Sequence, residues 1–203
     1  MTRFSDVAGG TDLDQAAFRN AMGLLVTGVA VITARDPDTG EPRGMTANAL
    51  MSVSLTPPLV VVSVRRGARL HEALRRAGAY GITVLGEGQE AEARRFAGLR
   101  VPAGSPDPEF TERAGVPVLG NGLAWIVARV TAAYPAGDHT LFVGAAAALA
   151  PERADDPPLA FHRSAFARVA PRPVPVPLQA WGAGLDTWGL PGPRCPAMIG
   201  KRL

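Results

Sequence analysis

The sequence has little of several features that define common protein classes. Only one of its 203 residues is a cysteine, Cys195, so no disulfide can form within the chain. With three histidines besides, the ligands for a zinc cluster are lacking, and we expect no metal site. Charged residues make up 19% of the chain, and 21 basic against 18 acidic residues leave a net charge of +3. This excess is too small for a nucleic-acid groove, so no nucleic-acid partner is expected.

Long apolar runs and targeting segments are missing as well. The longest apolar stretch, at 141–150, has about half of the roughly 20 residues that cross a bilayer. The first residues are acidic and show no apolar core before a small-residue cleavage site, which is unlike a signal peptide. We therefore expect a soluble, cytoplasmic protein without a membrane partner.

The fingerprints of nucleotide-binding and hydrolase folds are also absent. No G-x-G-x-x-G opens a helix after a strand, and neither G-x-x-x-x-G-K-[ST] nor G-x-S-x-G occurs. A redox cofactor would therefore have to bind in another kind of fold.

What the sequence does contain is enough apolar material for one domain, since 47% of the residues are hydrophobic. Apolar periodicity predicts helices at 12–25, 69–77 and 89–97. Runs rich in β-branched residues predict strands, the first two joined in a hairpin by DPDTG. The predicted strands lie at 29–34, 43–50, 59–64, 79–85, 122–134, 140–149 and, as a closing strand, 166–169. The segment 99–116 is predicted to be a loop.

Strands that mostly follow strands favour a mainly β protein with short helices, and argue against a doubly wound parallel sheet. The expected architecture is a closed antiparallel barrel. From residue 170 the composition shifts towards proline and glycine. We therefore expect a barrel domain at 1–169 and an extended arm at 170–203.

The densest polar stretch in apolar surroundings is GMTANALMSVSLTPP, at 44–58. Thr46, Asn48, Ser52 and Ser54 follow one another at even spacing, which would place them on one face of a strand. Small residues between them leave the backbone accessible. Such a row suits the edge of a flat heteroaromatic ligand that needs directional hydrogen bonds. An exposed strand face would show the same spacing.

Two arginines end the strand at 59–64 and precede the second helix. Arg65 and Arg66 there form a potential phosphate site, because a helix N-terminus next to arginines attracts anions. A solvated surface pair is the alternative.

The segment GDHT, at 137–140, places a histidine at the tip of a predicted long hairpin. His139 could donate to a ligand carboxamide or help move a proton, or it could merely be exposed. His71 and His162 have weaker claims.

Taken in order, these segments resemble the flavin reductase-like family of FMN-binding split barrels. The resemblance covers about residues 14–169 and is carried by GMTANALMSVSLTPPLVVVSV, RLHEALRRAGAYGITVL, QEAEARRFAG, GVPVLGNGLAWIVARV, AGDHTLFVG and PLAFHR. It implies an antiparallel Greek-key split barrel that forms a homodimer and binds FMN or FAD near the subunit interface. The implied activity is hydride transfer from NADH or NADPH to the flavin, which supplies a partner monooxygenase.

The resemblance also implies roles for particular residues. Those expected to contact the flavin are Thr46, Ala47, Asn48, Ala49, Ser52, Val53, Ser54, Arg65, Arg66 and Phe96, with Arg163 and Phe166 as weaker candidates. The two adjacent arginines would face the phosphate. His139 would be the catalytic residue beside the nicotinamide, and Gly137 and Asp138 would shape its turn.

The sequence departs from the family pattern at several positions. A Ser and a Thr are usual in the phosphate turn, where this chain has Ala68 and Leu70. Two lost hydroxyls would weaken flavin binding by about 1 to 3 kcal/mol. Thr83 stands where an Asn is usual, and alanines follow Gly144 where a Glu is common. Two alternatives therefore stay open: a split barrel with a remodelled or lost flavin site, acting as a non-redox biosynthetic enzyme or binding module, and an interaction protein that works through the arm.

Overall fold

The computed structural model describes residues 14–170, which form twelve strands and three short helices. The helices are α1 (Gln15–Met22), α2 (Arg69–Ala77) and α3 (Glu90–Phe96), and a 3-10 turn at Glu87–Gln89 precedes α3. The strands are β1 (Thr27–Gly28), β2 (Ala30–Arg35), β3 (Pro42–Ala47), β4 (Leu50–Leu55), β5 (Pro58–Arg65), β6 (Ala79–Val84), β7 (Phe110–Arg113), β8 (Val116–Leu119), β9 (Ala124–Ala136), β10 (His139–Pro151), β11 (Leu159–His162) and β12 (Ala165–Arg168). The mainly β class predicted from the sequence is confirmed.

Seven strands form one antiparallel sheet in the order β3-β2-β6-β9-β10-β5-β4. Its two edge strands, β3 and β4, are consecutive in the chain and are joined only through Asn48 and Ala49. The sheet must therefore curl until its edges meet. The backbone N–H of Ser63 donates to the carbonyl of Ala49 at 3.1 Å, which holds this connection against β5.

The barrel interior is filled by alternate side chains of its strands and by one face of α2. Val62, Ile82 and Phe142 are buried there with exposures of 1% or less. Leu70 and Leu74 of α2 reach the same cluster, because residues four apart lie on one face of a helix. The helix ends at Gly78, which adopts the left-handed conformation. α2 therefore acts as an apolar plug of the barrel.

A smaller sheet and α3 enclose a second apolar cluster. β1, β11 and β12 form a three-stranded sheet, and the buried residues beside it include Val29, Leu85 and Leu159. The strand at 165–168 pairs only with β11. The prediction that 166–169 closes the barrel was therefore wrong, because an apolar period does not specify which strand becomes the partner.

The prediction of a loop at 99–116 was wrong in part. Residues 110–113 form β7, which pairs with β8 as a two-stranded hairpin. This hairpin is held on the barrel by buried threonines: Thr33 Oγ1 donates to the carbonyl of Pro117, and Thr83 Oγ1 to that of Leu119. These long-range bonds stabilise a pairing for which the local sequence shows no strand signal.

The even spacing of polar residues at 44–58 does not place them on one strand. The chain bends at Asn48, so Thr46 lies on β3 while Ser52 and Ser54 lie on β4. A bulge between those two serines also interrupts the alternation of faces.

The remaining predictions are tested only in part. The N-terminal helix predicted at 12–25 spans 15–22 in the described residues. Almost all of the predicted arm, 171–203, lies outside them, and the division of the chain at 169/170 stays a prediction. Between residues 14 and 170, none of the helices has the length and apolar character to cross a membrane. The same part of the chain holds no group of three or more His, Cys, Asp or Glu that could bind a metal ion.

Replacing Leu74 with alanine should lower the free energy of unfolding by about 2 to 5 kcal/mol, because it removes a fully buried side chain of the plug. Leu99, which is 52% exposed, is the matched control, and Leu99→Ala should change the same quantity by less than about 0.5 kcal/mol. Urea denaturation followed by circular dichroism measures both. Equal losses in the two variants would contradict the role of α2 as the plug.

Candidate active site

A cationic junction forms where β5 runs into α2, beside the turn between β9 and β10. Arg65 and His139 are cross-strand partners, so their side chains leave the same face of the sheet as neighbours. The backbone N–H of Arg66 donates to the carbonyl of Asp138 at 3.0 Å, and its guanidinium donates to the carbonyl of Gly137. The structure thus brings together the two arginines and the GDH turn, as a site would require.

The turn itself presents a histidine whose ring is oriented by its neighbour. Gly137 has a φ of +60°, the left-handed conformation that glycine adopts readily. Nδ1 of His139 lies 2.7 Å from Oδ1 of Asp138, and both side chains are exposed. The hydrogen bond with His139, helped by the charges of His139 and Arg65, holds the pKa of Asp138 below its ordinary value. With Nδ1 engaged in this way, Nε2 is left to face a ligand.

The N-terminus of α2 opens onto the same junction. Ala68 occupies the N-cap position, and no side chain caps the helix. The first N–H groups of the helix and its dipole are therefore available to an anion. Leu70, at one of the positions that depart from the family pattern, is only 2% exposed and packs in the barrel core. Its side chain is not part of the junction surface.

A groove of about 220 Å³ opens at the barrel rim, beside the connection between β3 and β4. The residues that line it include Thr27, Gly28, Ala30, Ala47, Asn48 and Val84. Most of these side chains are small, and Asn48 contributes an exposed amide. Ala49 contacts Ser63, and Arg65 follows two residues later, about 7 Å along β5. The groove and the cationic junction are therefore neighbours on one rim.

Some predicted flavin contacts lie away from this rim in the single chain. Ser52, Val53 and Ser54 follow β4 in the opposite direction, and Ser54 pairs with Leu59, about 20 Å along β5 from Arg65. The hydroxyl of Thr46 is already engaged, since it donates to the carbonyl of Ala93 in α3 at 2.7 Å.

Phe96 lies against β3 at Gly44, where a Cβ atom would come within 2.6 Å of the phenyl ring. Only glycine allows this close approach. Gly44 precedes Asn48, which lines the groove, by four residues, so Phe96 lies about 13 Å from Asn48 along the strand. The approach of Phe96 to the flavin, which the sequence resemblance implies, stays a prediction.

The two weaker candidates belong to the small sheet. Arg163 lies in the turn between β11 and β12, and its N–H donates to the carbonyl of Gly23 at 2.8 Å. Phe166 meets Phe161 edge to face at 5.6 Å, and the guanidinium of Arg94 lies 5.6 Å from its ring. Neither candidate lines the groove, and both stay predictions.

Sequence reasoning missed six residues that line the groove, which are Thr27, Gly28, Val29, Ala30, Leu50 and Val84. It also gave little weight to His71, which lies beside the cationic junction. Gly28 and Val84 line the groove without a polar group, and no local pattern could have identified them. His71 carried a weak signal as one of three histidines. Its Nε2 lies 2.9 Å from Oγ1 of Thr140, the residue after His139.

A closed antiparallel barrel with a small-residue groove and a cationic junction on one rim defines a class of binding protein. The groove suits a flat heteroaromatic ring, and the junction suits a phosphate attached to it. These are the parts of a flavin nucleotide, so the residues present fit that group.

Comparisons with known proteins agree with this class. Residues 22–170 match the family model described as "Flavin reductase like domain". The NADH-dependent flavin reductase StyB of Pseudomonas fluorescens is 40% identical over 177 residues, which are 87% of this chain and 99% of that protein. The chain therefore belongs to the flavin reductase-like family, and the resemblance seen in the sequence is confirmed.

Solved structures give the same result for the fold. The flavin reductase PheA2 in its native state matches with a TM-score of 0.72 and 38% identity, over 78% of this chain and 100% of that one. The styrene monooxygenase flavin reductase SMOB from Pseudomonas putida matches with a TM-score of 0.68 and 36% identity, over 78% of this chain and 99% of that one. The predicted split barrel is confirmed.

Replacing His139 with alanine should raise the pKa of Asp138 towards its ordinary range, because the hydrogen bond from His139 is the main cause of the depression. Carbon-13 NMR titration of the side-chain carboxyl measures this in both proteins. Asp36, whose pKa of about 2 depends chiefly on Arg43, is the control and should titrate alike in both. An Asp138 titration that did not change would mean that this pair does not form in solution.

Proposed function

We propose that this protein is an NADH-dependent flavin reductase that passes reduced FMN or FAD to a separate monooxygenase. The observation that carries the proposal is the arrangement of groove, cationic junction and His139 on one rim of the barrel. The relatives described above support it, since StyB is an NADH-dependent flavin reductase and SMOB serves a styrene monooxygenase by its name. A barrel that has lost its flavin site is not favoured, because the groove and the junction are both retained.

The first task of the chain is to bind and orient the flavin. The amide of Asn48 can hydrogen-bond the edge of a ring in the groove, and small neighbours such as Ala47 let the ring approach the backbone. Arg65 and the uncapped start of α2 attract the phosphate. Arg66 already donates to the carbonyl of Gly137, so we assign the main phosphate contact to Arg65.

The second task is to place the nicotinamide. When bound, the flavin supplies the hydride acceptor, and the protein contributes position and shielding. Asp138 orients the His139 ring, and Nε2 is then directed outward to hydrogen-bond the carboxamide. Because His139 is paired with Arg65, the residue that would bind the nicotinamide carboxamide is adjacent to the residue that would bind the phosphate. The nicotinamide ring itself would have to lie over the flavin ring, which accepts the hydride.

The open site suits a flavin that binds, is reduced and leaves. The groove is a surface feature, and the cations beside it are exposed to solvent. Charge interactions at exposed positions are weakened by water, so the phosphate contributes modest affinity. Release of the reduced flavin to a second protein requires that the affinity for the flavin be modest.

The outer face of β4, β5 and β10 favours a homodimer. Met51 is 61% exposed, and its neighbours across the next two strands, Val61 and Val143, are half-buried. A contiguous apolar sheet face of this kind marks an interaction surface, and most soluble homo-oligomers are two-fold dimers. We propose that a second copy covers it. A cytoplasmic location is part of the proposal, since the chain has only one cysteine and depends on no internal disulfide.

His139→Ala should lower kcat/KM for NADH about tenfold, because it removes a hydrogen bond to the nicotinamide, and should leave the Kd for FMN unchanged. Steady-state NADH oxidation and fluorescence titration of FMN measure the two quantities. His162→Ala, in β11, is the matched control and should alter neither. Unchanged use of NADH in the His139 variant would remove that histidine from the mechanism.

Arg65→Ala should weaken FMN binding about tenfold and leave riboflavin binding unchanged, because riboflavin has no phosphate. Fluorescence titration with each flavin makes the comparison. The exposed Arg129 of β9 provides the control, and Arg129→Ala should affect neither flavin. Equal losses for FMN and riboflavin would show that Arg65 does not contact the phosphate.

A further inference from the structure

A side-chain hydrogen bond joins α2 to the beginning of β10, directly beside His139. Nε2 of His71 lies 2.9 Å from Oγ1 of Thr140, and the imidazole meets the ring of Phe142 edge to face at 5.3 Å. Thr140 is only 9% exposed and His71 is half-buried. The bond is therefore shielded from the solvent that surrounds the neighbouring turn.

The alternation of side chains along β10 connects this hydrogen bond with the position of His139. Successive side chains point to opposite faces, so Thr140 points into the barrel and His139 points out. Holding the inward side chain fixes the backbone from which the outward one projects. Within residues 14–170, the His139 ring itself has a single hydrogen-bonding partner to orient it, the exposed carboxylate of Asp138.

The helix that supplies His71 is well anchored. Leu70 and Leu74, on either side of His71 in α2, are buried in the barrel core. His71, a side chain of this anchored helix, can therefore hold the beginning of β10 in a fixed position. The turn has a second attachment in Arg66, whose bonds go to the carbonyls of Gly137 and Asp138. Those bonds hold the tip of the hairpin, whereas His71 holds the first residues of the strand.

We propose that His71 is a positioning residue for the nicotinamide site, acting through Thr140 to hold His139 in place. The inference rests on the proposed function, because the proposed function assigns the contact with the nicotinamide of NADH to His139. The same helix begins at the proposed phosphate contact. α2 therefore supports both the proposed phosphate contact and the proposed nicotinamide contact, and hydride transfer requires that the two ligands be held in a defined orientation.

The test uses four single variants of the full chain and one double variant, which combines Thr140→Val with His71→Phe. Thr140→Val removes the hydroxyl at nearly constant volume, and His71→Phe removes the nitrogen but keeps a ring against Phe142. His71→Gln retains a hydrogen-bonding group at similar reach. Thr33→Val is the matched control, since Thr33 is also buried and its Oγ1 donates to the carbonyl of Pro117. Thr33 lies on β2, which β6 and β9 separate from β10 in the sheet.

Thr140→Val and His71→Phe should each lower kcat/KM for NADH about three- to tenfold, which is the effect of one lost hydrogen bond. The Kd for FMN, measured without NADH, should change less than twofold. The double variant should have a kcat/KM for NADH no lower than that of either single variant, because the two substitutions remove the same hydrogen bond. His71→Gln should restore most of the activity, and Thr33→Val should lower the melting temperature without changing kcat/KM for NADH or the Kd for FMN.

An NMR readout keeps the inference separate from the proposed function. If His139 is displaced, its bond to Asp138 weakens, so the pKa of Asp138 should rise in Thr140→Val and stay depressed in Thr33→Val. A wild-type protein that did not oxidise NADH with either flavin would overturn the proposed function, while this titration would still decide whether Thr140 positions His139. Parallel losses for NADH and FMN, additive effects in the double variant, or an unchanged Asp138 pKa would each overturn the inference.

Discussion

The pairing of β5 with β10 is the constraint on which the site depends. Its register places His139 opposite Arg65 and continues through seven pairs to Ala145 and Leu59. Side chains alternate with a period of two, so a slip of one residue would turn His139 into the barrel and bring Thr140 to the surface. Burial of the valines on the inner face of β5 prevents that slip. Core packing thereby sets the position of the exposed His139 side chain.

Closure of the barrel creates the groove. The edges of the seven-stranded sheet meet where β3 passes into β4, and the connection of two residues leaves no room for a protruding loop. Asn48 is therefore exposed at the rim, surrounded by small residues of β1 and β2. The same connection contacts β5 shortly before Arg65, so the ring-binding and phosphate-binding groups are adjacent without any dedicated loop.

The departures from the family pattern have a more specific interpretation in three dimensions. Leu70 packs inside the barrel with the rest of the α2 plug, so an apolar side chain there contributes to the core. Thr83 is likewise engaged in the fold, since its hydroxyl holds the β7–β8 hairpin on the barrel. Ala68 leaves the start of α2 without a side-chain cap. Under the proposed function, Arg65 and the N–H groups of α2 would supply the phosphate affinity that the missing hydroxyls do not provide, and the modest affinity that results agrees with a flavin that leaves after reduction.

Local patterns in the sequence determined the β2–β3 hairpin, the strand β5, the end of α2 at Gly78 and the long hairpin that carries His139. These features depend on side-chain period and turn residues, which are properties of neighbours in the chain. The order of the motifs also determined the family. The bend at Asn48, the β7–β8 hairpin, the separate sheet of β12 and the bond between His71 and Thr140 were decided only by the tertiary structure. Each of them depends on which distant segment packs against another, and periodicity specifies the face of a strand but not its partner.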